Sequence, residues 1–346
     1  MIIKNKQIST TTLYLPEFDR SFFIKNNHKN KKYLTEIILI TNNVSCNLIF
    51  WLIWHLYVIK IEHIKIVFNN ITLNNKIIDF LKNKFTEKIE IIVIENNISQ
   101  SEIYTQYVNN SDATWVLPID DDEYLYLNNQ NINNILNNTT SIKISFPWLY
   151  MFSEKMKTDT DLSIPYFLNY QYFNPNIEEH YFKTFINTNY IHLYKECSNV
   201  ANLKKEIIAL NNIQKNTEVN VKQILGTVHN PITIVNDVFI PSFNVSDDKF
   251  YFGYCSYNKN LNFNNGCILH FKYRSLNEYI KKIENIKNNK KFTDLPIQYF
   301  ESVTIDEFNK MYSNYQNFKH VDIGINMNRQ VLSYNNIIKE FKNIIC

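Results

Sequence analysis

Apolar and polar positions along the chain follow two periods, and the switches between them lay out the elements. Glu36–Thr41 (EIILIT) is a short β-branched run bounded by Asn42-Asn43, which predicts a buried strand. Val44–Ile59 is apolar almost throughout and too long for a strand, so it predicts a buried helix. A membrane-spanning helix needs about 20 such residues. This run is shorter and carries Asn47 and His55, so membrane association is the lesser reading. His63–Phe68 and Ile89–Ile94 read as further strands, and between them Asn75–Phe85 spaces Ile77, Ile78, Leu81 and Phe85 at helical intervals. Ser99 and Glu102 form a capping box opening a helix to about Val108. Thr114–Ile119 is a fourth strand, with Pro118 marking its end.

Beyond this point Ser141–Pro147, Tyr181–Ile186, Tyr190–Tyr194 and Cys267–Phe271 read as strands. Trp148–His180, rich in Tyr, Phe and Pro, reads as irregular and substrate-facing. Capping boxes at Ser275–Glu278 and Thr304–Glu307 start helices, and a last helix runs from about Asn328 to Lys342. No internal repeat is visible. Strands alternating with helices at this spacing predict an α/β fold, a parallel sheet with helices on both faces. The organisation expected is a lead-in segment (1–34), an α/β domain (35–290) and a C-terminal helical extension (291–346). Ligands of such sheets sit beyond the carboxyl ends of the strands. The polar exits Thr41, Asn42 and Asn69 are therefore candidate nucleotide contacts, together with the acidic exit after the fourth strand.

Composition narrows the chemistry. With 4 Gly in 346 residues there is no G-x-G-x-x-G or Walker-type phosphate loop. A net charge of +3, with lysines scattered and runs such as Lys287–Lys291 at a helix end, argues against nucleic acid as a partner. The five Cys are far apart with no C-x-x-C pair, which suits reduced thiols and a cytoplasmic setting. The first residues contain no apolar signal-peptide core, and no spanning segment or anchor is expected.

The sharpest feature is Asp120-Asp121-Asp122-Glu123-Tyr124 directly after an apolar strand. Consecutive carboxylates repel one another and call for a cation or strong donors. Hard oxygen ligands suit Mn²⁺ or Mg²⁺, which keep positions open for substrate phosphates. An exposed acidic turn is the alternative, and its position at a strand exit favours the metal. His270 ends another short strand and is read either as a hydrogen-bonded core histidine or as a contact to metal or phosphate. Lys272, Arg274 and the helix start at Ser275 follow it, a set suited to a diphosphate.

Trp115–Tyr124 resembles the W-[VL]-x-x-x-D-x-D-E-[FY] signature of family 92-like and related family 2-type glycosyltransferases with a GT-A fold. Trp54-His55 with the strand His63–Phe68 and Asn69, the Phe146-Pro147-Trp148 and Phe152-Ser153 stretch, and His270–Ser275 with Glu278 and Lys281 resemble further segments of that pattern. Asn42-Asn43 and Asn69 depart from the Asn-Glu and Asp usual there, and the Gly of the family's F-G-S is missing.

The resemblance covers about residues 36–285 and implies a GT-A, Rossmann-like mixed sheet. It implies a metal-dependent transferase moving a sugar from a nucleotide-sugar, a UDP-sugar with inversion, to a glycan or other hydroxyl acceptor. On it, Asp120, Asp122 and His270 bind Mn²⁺ or Mg²⁺. Thr41, Asn42, Asn69, Asp120, Asp121, Lys183, Lys272, Arg274 and Ser275 contact the nucleotide. His229 resembles a further family histidine. Inversion needs a carboxylate base, for which Glu154, Asp159, Asp161, Glu178 and Glu179 are the candidates. A nucleotidyltransferase on a similar sheet, or an inactive glycan- or partner-binding protein, are the alternatives.

Overall fold

The computed structural model describes residues 31–42, 44–95, 98, 100–128, 130–139, 141, 143–152, 171–173, 180–189, 234–235, 238–239, 242–246, 249–251, 255–256, 265–271, 330–331 and 333–345. In chain order these form β1 (Tyr33–Thr41), α1 (Cys46–Ile53) with a π-helical turn (Trp54–Val58), β2 (His63–Asn69), α2 (Asn75–Phe85), β3 (Ile89–Ile94), α3 (Gln100–Asn109), β4 (Ala113–Ile119) and β5 (Glu123–Tyr126). There follow α4 (Ile132–Asn138), β6 (Lys143–Phe152), β7 (Gln171–Phe173), β8 (His180–Asn187), β9 (Ile234–Val235), β10 (Val238–Phe239), β11 (Ser242–Asn244), β12 (Lys249–Tyr251), β13 (Cys255–Ser256), β14 (Cys267–His270) and α5 (Asn335–Ile345).

The main sheet has the order β12-β11-β6-β8-β4-β1-β2-β3. β1 to β4 are parallel to one another, whereas β8 runs antiparallel to both β4 and β6. The sheet is therefore mixed, as the GT-A expectation has it, and not the wholly parallel sheet that strand–helix alternation alone suggests. Its two faces follow from the period-2 alternation of each strand. Ile37, Leu39, Ile64, Ile66, Phe68, Trp115, Leu117 and Ile119 pack with α1, α2 and α5 on one face. Ile38, Val67, Val116 and Ile186 pack with Ile103, Tyr104 and Val108 of α3 on the other. The chain adds β2 and β3 outward from β1, then returns past them to lay β4 on β1's other side. A right-handed crossover in the reverse direction puts its helix on the opposite face, which is why α3 parts company with α1 and α2.

Helix α1 is apolar on every side but for Asn47, and Asn47 to Ile53 are all buried between the sheet and α5. Among the described residues no helix is long and apolar enough to cross a membrane. α5 is fastened by Phe341 against Phe80, Tyr334 stacked on Tyr57, and an ion pair between Lys84 and Glu340.

Toward the amino end of the sheet lies a buried polar cluster. Glu36 accepts from the Ser111 hydroxyl at 2.6 Å, pairs with His63 Nδ1 at 2.7 Å and has Lys65 Nζ at 3.7 Å. Burial alone would raise the Glu36 carboxyl, but the His63 bond, the Lys65 charge and the Ser111 bond outweigh it and hold it below its ordinary value.

The structure departs from the sequence expectations in several places. Trp148–His180 is not irregular throughout, since β6 continues to Phe152 and β7 pairs with it. Pro147, the last residue of the expected strand, does not end β6. It is the last residue of β6 paired with β8, and from Trp148 onward β6 pairs in parallel with β14. The acidic run leads directly into a strand the sequence did not mark, because Glu123 opens β5, which pairs antiparallel with β14. The last helix starts later than expected, at Asn335, and residues 330–331 are helical as well. The strand expected at Tyr190–Tyr194 and the helices from Ser275 and Thr304 lie outside the described residues, as does Ser99.

Candidate active site

The strand order reverses between β1 and β4, and the crevice outside the carboxyl ends of strands at such a switch point is where open α/β sheets bind ligands. Thr41 ends β1 there, and Asp120, Asp121 and Asp122 follow β4. The Thr41 hydroxyl donates to Asp121 Oδ2 at 2.8 Å, tying the two exits together. α3 begins at the same place, and Gln100 Nε2 donates to Asp120 Oδ1 at 2.9 Å.

The acidic turn folds back on itself. Glu123 N–H donates to the Asp120 carbonyl at 3.2 Å, and Asp120 N–H donates to Glu123 Oε2 at 3.0 Å. Lys183 enters from β8 and bridges both carboxylates, 2.8 Å from Asp120 and 2.9 Å from Glu123. Its side chain is 0% exposed, whereas that of Asp120 is 28% exposed. Burial pushes the Glu123 carboxyl well above the usual range, against the pull of Lys183, and Asp120 and Asp122 push it further. Burial would lower the Lys183 ammonium, but Asp120 and Glu123 more than compensate and hold it above its ordinary value. Among the described residues, Lys183 thus pairs with two members of a run of four acidic residues.

His270 arrives from the other direction. It lies opposite Glu123 in the β5–β14 register, and Phe271 N–H donates to the Asp122 carbonyl at 2.8 Å. These backbone links bring His270 Nε2 to 3.6 Å from Asp122 Oδ1, both side chains being buried. Trp148 joins the two halves. Its ring lies 4.4 Å from that of His270 and has Lys183 Nζ 5.9 Å from its centroid.

Asp120, Asp121, Asp122, Lys183, His270 and Thr41 therefore converge on one end of the sheet. Asn42 is exposed at the end of β1. Asn69 sits at the end of β2, where its amide donates to the Ile98 carbonyl at 2.8 Å and its oxygen accepts from Ile98 N–H at 3.3 Å, holding the approach to α3. Lys272, Arg274, Ser275, His229, Glu154, Asp159, Asp161, Glu178 and Glu179 lie outside the described residues. Among the described residues no group of three or more His, Cys, Asp or Glu side chains is placed to hold a metal ion. Sequence reasoning did not pick out Gln100, Glu123 as the buried partner of Lys183, or Trp148 beside His270. A charged residue inside an apolar strand, as at Lys183 in Tyr181–Ile186, needs a buried partner and is the signal that could have found the second of these.

No protein-family model and none of the curated proteins matches the chain. Among solved structures it is similar to residues 1–349 of TarS from S. aureus, at 12% identity and a TM-score of 0.31, over 81% of this chain and 72% of that one. It is also similar to 4-diphosphocytidyl-2C-methyl-D-erythritol synthase from Anaerococcus prevotii, at 12% identity and a TM-score of 0.25, over 54% and 78% of the two chains. HddC from Yersinia pseudotuberculosis follows at 9% identity and a TM-score of 0.26, over 44% and 74%. At such identities and scores the functional reading rests on the chain's own topology and site.

Proposed function

We propose that this protein is a nucleotide-sugar-using transferase of the glycosyltransferase kind, with its donor at the Asp120–Glu123 turn. One observation carries the reading: Asp122 and His270, from distant parts of the chain, stand 3.6 Å apart beside the switch point of an acidic α/β sheet. The carboxylate suits Mn²⁺ or Mg²⁺, which complete their shell with water and phosphate oxygens, and the imidazole beside it favours Mn²⁺, the transition metal of the two. Asp122 and His270 would hold this ion, which when bound offsets the charge that develops on a leaving diphosphate. Lys183 and Gln100 hold the Asp120 carboxylate and Thr41 holds that of Asp121; both residues are proposed as contacts to the UDP-sugar. Lys272, Arg274 and Ser275, which follow Phe271 directly, are proposed for the diphosphate. The base that activates a glycan hydroxyl is proposed among Glu154, Asp159, Asp161, Glu178 and Glu179.

The test is thermal unfolding with Mn²⁺, UDP or both, followed by UDP release from a panel of UDP-sugars. Stabilisation by UDP that requires Mn²⁺ is expected, worth about 2.7 kcal/mol at a hundredfold excess over Kd. Absence of both effects overturns the proposal. Pyrophosphate release from a nucleoside triphosphate and a sugar phosphate redirects it to a nucleotidyltransferase.

A further inference from the structure

Strand β5 has four residues, and both of its edges are buried in protein. Such a strand must have its backbone groups satisfied on both sides. One side faces β14. Toward the other side point the backbone groups of Glu123 and Leu125, two residues apart. No strand among the described residues pairs with them there; side chains of α1 and its π-helical turn do. Trp51 Nε1 donates to the Glu123 carbonyl at 2.7 Å, and Trp54 Nε1 donates to the Leu125 carbonyl at 2.7 Å. Leu125 N–H donates to His55 Nε2 at 3.2 Å. That bond makes Nε2 the acceptor, so His55 carries its proton on Nδ1, which donates to the Trp51 carbonyl at 2.9 Å. The spacing of 51, 54 and 55 puts all three side chains on one helix face.

We propose that Trp51, Trp54 and His55 are positioning residues: they act as a strand made of side chains, setting the level of β5 and with it the placement of Asp122 beside His270. The proposal rests on the acidic turn being the donor site. The register explains the leverage, because Glu123 opens β5 and lies opposite His270, so a slip of β5 moves Asp122 against the imidazole.

Trp54→Phe removes the donor to the Leu125 carbonyl and leaves a smaller aromatic ring in the packing, a loss of volume that the control below matches. Two readouts follow, the side-chain NMR resonances of His270 in metal-free protein and the Kd for Mn²⁺ from the free-ion EPR signal. The His270 resonances are expected to move, and Mn²⁺ affinity to fall about 10- to 100-fold. Leu81→Ala, in the core under α2, is the control: it lowers thermal stability and leaves both readouts at their wild-type values. Trp51→Phe, acting at the Glu123 carbonyl, makes the same test should Trp54→Phe not fold. His270 resonances unmoved in the folded variants overturn the proposal. Moved resonances in a protein whose wild type binds no Mn²⁺ uphold the positioning role and remove the cation reading instead.

Discussion

His55 gives the side-chain clamp a pH signature that can be worked out in advance. The imidazole is fully buried and accepts from Leu125 N–H, so a second proton would set two donors face to face. Burial depresses its pKa from 6.5 to about 3, with the Trp51 carbonyl pulling weakly the other way. Between those values the unfolded chain binds the proton and the folded chain does not. The stabilising contribution is therefore complete above pH 6.5 and lost as pH falls toward 3, at roughly 1.4 kcal/mol per pH unit. His55→Leu removes the titration but strands the Leu125 N–H, at a cost of about 1–3 kcal/mol at pH 7. A gap of about 2 kcal/mol closes roughly 1.5 units below 6.5, so the two stability curves should cross near about pH 5, with the variant more stable below. Urea unfolding of both proteins at pH 7, 6, 5 and 4.5 reads this directly. A gap that stays constant over that range would refute the reasoning.

Three further outcomes are expected. Asp122→Ala should lower sugar transfer at least about 100-fold while the fold is kept, since the bond from Phe271 N–H uses the Asp122 carbonyl; steady-state kinetics and circular dichroism check the two halves. Lys183→Met leaves Asp120 and Glu123 without their buried cation and should destabilise by about 3–5 kcal/mol in denaturant titrations at pH 7. Gly266→Ala should cost about 2–5 kcal/mol by the same measurement, because Gly266 has φ +130° and a Cβ there would meet a Phe146 ring carbon at 2.9 Å.

The elements legible in the sequence are those that local pattern decides. β1 to β4 each have a face whose alternation is set by the core, and α2 and β3 run between the residues their periodicity marks. What escaped is what distant pairing decides. Glu123–Tyr126 is only four residues long and adjoins a charged turn, so nothing local distinguishes it from a loop until β14 and the tryptophans of α1 are beside it. The expected strand stops at Pro147, where the regular pattern fades, yet a change of partner from β8 to β14 there carries β6 onward. In the site, Asp120–Glu123 and Lys183 stand out because charge inside or just after an apolar run needs a reason. The company they keep depends on a register between segments far apart in the chain, which periodicity does not encode.

The two-sided holding of β5 also bears on how the chain is made. Synthesis is vectorial, so α1 is already available when β5 leaves the ribosome and can close one edge at once. The other edge waits for Cys267, about 140 residues after Tyr126. At about 5–20 residues per second this is a delay of roughly 7–30 s. During that interval the backbone groups on the β14 side of Asp122, Tyr124 and Tyr126 are an open strand edge next to apolar surface, the kind of edge on which nascent chains stick to one another. Stalling translation inside this window should therefore favour capture by chaperones, whereas release after His270 should not.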